Sequence, residues 1–135
     1  MPYSFYNPNP LKSNTRDCAV RAVAKALDIS WEESFAKIAS MAFSMGQTMD
    51  YDASWGAVLR MNGFRRDIIP NTCPECYTIR DFCKDHNTGV YVLATGNHVA
   101  TVVNGVLYDT SDTGNEIPQY YWYEAEKGDQ NGTAN

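Results

Sequence analysis

Cationic residues are scarce in this chain. Eleven Lys and Arg stand against sixteen Asp and Glu, a net charge of −5. That balance argues against binding a nucleic-acid backbone, which needs a basic face. No apolar run approaches the length of a membrane span. The N-terminal stretch MPYSFYNPNPLKSN lacks the basic and then apolar blocks of a signal peptide. These absences predict a cytoplasmic protein with neither a nucleic-acid nor a membrane partner. There is no G-x-x-x-x-G-K pattern, so no phosphate loop of that kind is expected, and there is no internal repeat. Histidine is limited to two residues and cysteine to four. Cysteines in a cytoplasmic protein are expected to be free, catalytic or metal-bound rather than disulfide-paired.

What is present describes one globular domain. The chain has 135 residues, 44% hydrophobic and 20% charged, enough for a single core. Residues 1–123 are read as that domain, with 1–14 an extended arm that Tyr3, Phe5 and Tyr6 pin to the body. Residues 124–135 are read as a polar tail. Val20, Val23 and Leu27 carry a buried stripe on a first helix over 16–27. Ser30 and Glu33 form a capping box that opens a second helix, with Trp31, Phe35, Ile38 and Ala42 at helical spacing. A third helix covers 53–62 and a short fourth 79–86. Trp31 and Trp55 are expected in the core.

The second half changes character. GVYVLATG reads as a strand. HVATVV and VLYDTS, joined by Asn104-Gly105, form the clearest hairpin, because a type I′ turn needs positive φ at both central residues. QYYWY adds a further strand. Helices precede antiparallel strands, which predicts an α+β fold.

Three residues form a chemical constellation. Cys18 stands at the start of the first helix, where unpaired N–H groups and the positive end of the dipole favour a thiolate. In the hairpin, Val103 opposes Val106, so Ala100 opposes Asp109 and His98 opposes Ser111. His98 and Asp109 then share a face as diagonal neighbours, about 7–8 Å apart at Cα. By the same parity Asp112 points away. An imidazole activates a thiol by taking its proton, and a carboxylate holds the imidazole in the required tautomer. The backbone N–H of Cys18 supplies an oxyanion donor. Each residue also has an ordinary reading: Cys18 as packing, His98 as a strand-end polar residue, Asp109 as a turn former. Their order along the chain favours the joint reading.

A second cluster, Cys73-Pro-Glu-Cys76 followed by Cys83 and His86, has four soft ligands that could close a zinc site. Against it, Cys83 shares a helix face with Phe82 and Ile79. The reading adopted is no metal and no cofactor; a zinc-stabilised interaction domain stays open as a weaker alternative.

The segment T-R-D-C-A-V-R-A-V-A resembles the nucleophile segment of papain-like cysteine peptidases. It is most similar to the bacteriocin-processing peptidase domains of double-glycine-leader exporters, where D-C-G opens the first helix. N-H-V-A-T-V-V and then V-L-Y-D-T resemble their histidine strand and following acidic residue. The likeness spans about residues 12–112. The chain, with its D-T-S-D-T-G-N-E-I-P-x-Y-Y-W ending, also resembles small papain-like proteins of bacterial and phage genomes. The resemblance implies a papain-like α+β fold and hydrolysis of a peptide, amide, isopeptide or thioester bond. Cys18 is then the nucleophile, His98 the general base and Asp109 the orienting acid. Two positions depart from the family. Lys12 stands six residues before Cys18, where the family keeps an oxyanion glutamine. Asn14 is the nearest amide able to substitute for it. Ala19 replaces a glycine. Losing an oxyanion donor costs on the order of 10²–10³ in rate, so a pseudoenzyme that sequesters a peptide or inhibits a host protein stands as the alternative.

Overall fold

The computed structural model describes residues 2–13 and 15–125. Ten elements follow one another: β1 (Tyr3–Phe5), α1 (Cys18–Leu27), α2 (Trp31–Met45), α3 (Asp52–Met61), β2 (Phe64–Ile68), α4 (Ile79–Asp85), β3 (Val90–Ala94), β4 (Val99–Val103), β5 (Val106–Asp109) and β6 (Tyr120–Glu124). The strands form one sheet in the order β1-β5-β4-β3-β6-β2. The fold is α+β.

Strand alternation sends side chains to two separate layers. On β3, Val92 and Ala94 join the cluster beneath α1 and α3, while Leu93 joins Ile79 and Phe82 of α4 on the opposite face. Two buried hydroxyls fix α1 in place. Thr101 of β4 donates to the Ala22 carbonyl at 2.7 Å, and Ser34 of α2 donates to the Val20 carbonyl at 2.8 Å. Each anchors the helix that begins with Cys18. Gly56 lets α3 approach β6 closely, since a Cβ there would meet Trp122 Cζ2 at 2.9 Å.

The expected hairpin forms with the expected register: Val103 opposes Val106, and Asn104 and Gly105 have φ of 50° and 77°. Other expectations are corrected. The sheet is mixed, because residues 3–5 of the arm add β1 in parallel beside β5. Three residues in a Pro- and Asn-rich segment are too few to show a strand period. Phe5 is exposed and does not pin the arm; Tyr6 does, edge-on to Tyr108 with ring centroids 6.2 Å apart. The first helix starts at Cys18 rather than 16, after Asp17 leaves helical geometry. The tail does not begin at 124: Glu124 ends β6, and Ala125 is buried with its N–H on the Gly63 carbonyl. Residues 126–135 lie outside the described residues.

The cysteine expectation also changes. Cys73 and Cys76 are joined in a disulfide, their turn having brought the two Cα atoms 4.3 Å apart. Cys83 is buried in the α4 core, and His86 stacks on Phe82 with Nδ1 3.1 Å from that residue's carbonyl. Among the described residues no group of His, Cys, Asp and Glu is arranged to hold a metal ion, and no helix is long and apolar enough to cross a membrane.

Candidate active site

Cys18 is the first residue of α1, so no helical carbonyl precedes its N–H. Its half-buried thiol is hydrogen-bonded to His98 and to the Val99 backbone N–H. His98 sits one residue before β4. Its Nε2 is 2.7 Å from Asp109 Oδ2, which leaves Nδ1 as the ring nitrogen for the sulfur. The three residues named from the sequence are therefore brought together in one hydrogen-bonded chain. Asp112 is not part of it and faces Arg80 instead.

Asp109 is 2% exposed, and both of its carboxylate oxygens are hydrogen-bonded. Besides His98, the Thr113 hydroxyl donates to Oδ2 at 2.7 Å and the Thr110 N–H to Oδ1 at 2.8 Å. Arg21 Nη2 lies 3.6 Å from Oδ1. Burial pushes the Asp109 carboxyl up, but the His98 hydrogen bond and charge, with the two threonine donors, outweigh it and hold it below the usual range. The Asp109 hydrogen bond, then that of Cys18, raise the His98 imidazole to about 10 against an opposing burial penalty. At Cys18 burial also acts upward, yet the His98 hydrogen bond, the Val99 N–H and the charges of His98 and Arg21 leave the thiol below its ordinary value. Opposite shifts in two touching groups favour a thiolate beside an imidazolium.

Beneath this chain lies a second set of charges that sequence reasoning missed. Asp17 does not cap α1 with its side chain. It pairs with Arg21 one turn on and accepts from Trp31 Nε1 at 2.9 Å and Asn9 Nδ2 at 3.3 Å. Arg21, only 8% exposed, thus bridges Asp17 to Asp109. The i,i+4 spacing of Asp17 and Arg21 is a helix ion-pair pattern and was the available signal. Trp31 is half-buried rather than core, because its indole N–H reaches back to Asp17. Phe35 is 42% exposed and stacks on Trp31 with centroids 5.1 Å apart.

Those two rings wall a cleft of about 700 Å³ that runs to Cys18 and His98. Val20, Trp55 and Val99 line it, while Asp50 and Asp52 stand at its acidic side. The Asp52 carboxylate accepts from Tyr120 at 2.6 Å. Asn14, named as a substitute oxyanion donor, lies outside the described residues. Lys12 adopts a φ of 55° and turns its ammonium onto the Asn7 carbonyl at 2.7 Å.

Comparison with protein-family models, with curated proteins and with solved structures finds no match to this chain.

Proposed function

We propose that this chain is a papain-like cysteine peptidase or related hydrolase that cleaves a peptide, amide, isopeptide or thioester bond. The observation that carries the reading is the convergence of Cys18, His98 and Asp109, with His98 hydrogen-bonded to Asp109, on a cleft of about 700 Å³. In the proposed reaction the Cys18 thiolate attacks the substrate carbonyl. The oxyanion is met by the Cys18 N–H, with Asn14 as the side-chain donor. The His98 imidazolium gives its proton to the leaving amine, and a thioester to Cys18 results. Water then adds with His98 as base, the carboxylic acid leaves, and the thiolate–imidazolium pair is restored. Asp109 holds the imidazole throughout and does not itself take the proton. No cofactor is required. A cytoplasmic setting is part of the proposal, since a reducing compartment keeps Cys18 free.

A second reading is a binding module that holds a peptide without cutting it. It is favoured by Lys12, whose ammonium is committed to the Asn7 carbonyl at the position where the family keeps its oxyanion glutamine. One experiment separates the two. Wild type and Cys18→Ser are incubated with a pool of proteome-derived peptides, and new termini are read by mass spectrometry. Cuts present only with wild type support hydrolysis. Peptides retained by both proteins, with no new termini, support the binding module and remove the enzyme.

A further inference from the structure

A second hollow, of about 560 Å³, meets the cleft over Cys18 and His98. The sheet order fixes which side it lies on. β3 and β5 flank β4 on opposite sides. The apolar cleft reaches the end of β3 at Ala94, while the hollow reaches Thr110 and Ser111 just past β5. The two spaces therefore share Cys18 and His98 and extend from them towards the β3 side and the β5 side of β4.

Their chemistry is opposed as well. The cleft has aromatic walls and carries Asp17, Asp50 and Asp52, and it shares Arg16, Ser13 and Thr15 with the hollow, whereas Lys12 and Arg21 line the hollow alone. The hollow is lined by Lys12, Arg16 and Arg21 and, among the described residues, by no Asp or Glu. In a chain of net charge −5 this is a local reversal of sign. Arg21 is committed to Asp17 and Asp109. Arg16 is exposed and makes no hydrogen bond or ion pair among the described residues. Lys12 uses one donor on the Asn7 carbonyl and keeps two, since an ammonium has three. The hydroxyls of Ser13, Thr15, Thr110 and Ser111 add further donors. The two carboxylates that Arg21 meets, Asp17 and Asp109, are both buried with their oxygens already engaged.

We propose that this hollow is a carboxylate subsite. A substrate peptide places an apolar side chain in the cleft on one side of the scissile bond. On the other side, an acidic side chain or the chain's own C-terminal carboxylate sits against Arg16 and Lys12. The inference rests on the hydrolase reading for its biological meaning, but its test does not need a known substrate.

Cys18 is alkylated with iodoacetate and, separately, with iodoacetamide, and the ratio of the two rates is taken. In both reactions the sulfur forms a bond to CH₂ and iodide leaves, so the thiolate fraction cancels in the ratio. A cationic hollow raises the ratio above that of free cysteine. Arg16→Gln with Lys12→Gln should lower it about fivefold, and raising the salt to 0.5 M, an order-of-magnitude choice that shortens the screening length, should lower it similarly in wild type. A ratio unchanged in the double variant overturns the subsite. Failure of the hydrolase reading shows separately, as iodoacetamide rates that titrate like an ordinary thiol. A second arm identifies the source of the carboxylate by protection of Cys18. N-acetyl-aspartate amide protecting better assigns a side chain; N-acetyl-alanine free acid protecting better assigns a chain end.

Discussion

Removing the imidazole tests the candidate site most directly. At Cys18 the largest single influence is burial, which raises the thiol; the His98 hydrogen bond, the Val99 N–H, the His98 charge and the Arg21 charge together reverse it. His98→Ala deletes two of those four and leaves the burial. The variant thiol should then sit at or above the ordinary value of about 8.5. At pH 6 only about 1 in 300 molecules of such a thiol is ionised. Part of that loss is returned, because a more basic thiolate is a better nucleophile, by about threefold per pKa unit. The net expectation is a severalfold fall in alkylation at pH 6, at most about tenfold. Wild type should lose less of its rate between pH 8 and pH 6 than the variant does. The two profiles should cross at about pH 7 to 7.5, roughly one unit or more below the variant's own value, and above that the variant becomes the faster. The assay is iodoacetamide labelling across pH, read at Cys18 by mass spectrometry. Buried Cys83, whose thiol burial pushes up, serves as the slow internal reference. Parallel profiles, or a wild-type Cys18 that titrates like free cysteine, would refute the reasoning.

Further expectations follow from the same contacts. Asp109→Asn removes the chief cause of the raised His98 value, so the imidazole should titrate well below about 10, towards its ordinary 6.5, as followed by NMR. A raised histidine stabilises the fold fully below its unfolded value and loses that contribution as pH climbs through the folded one. Wild type should therefore lose urea resistance between pH 6.5 and about 10, and Asp109→Asn should not show that loss. Arg21→Met leaves Asp17 and Asp109 buried without their shared cation, at a cost of about 3–5 kcal/mol; an unchanged urea midpoint would contradict this. Gly56→Ala puts a methyl 2.9 Å from Trp122 Cζ2. Overpacking of about 1–3 kcal/mol should exceed the roughly 1 kcal/mol gained in helix propensity. Thermal unfolding should shift downward, and a rise would show that the ring yields freely.

The local signals that were strong in the sequence were those set by short-range physics. Asn104-Gly105 dictates a two-residue turn, the turn dictates register, and register put His98 and Asp109 on one face. Ser30 and Glu33 named the start of α2, where the Ser30 hydroxyl accepts from the Glu33 N–H at 3.1 Å. Weak signals were those needing a distant partner. β1 is three residues long and exists because β5 offers an open edge. Trp31 and Phe35 have helical spacing that reads as core, yet they wall a cleft, since burial depends on what packs opposite.

By itself the chain determined its helices, its hairpin, and the pairing of His98 with Asp109, because each follows from spacing along a few residues. Only the tertiary structure decided how that pair is supported. Docking α1 on β4 through Thr101 set the thiol against the ring. Burial then made the Asp17–Arg21–Asp109 charges interact strongly, since removing water strengthens every charge interaction. The contrast between an apolar cleft and a cationic hollow likewise arises from segments distant in sequence, which no spacing along the chain encodes.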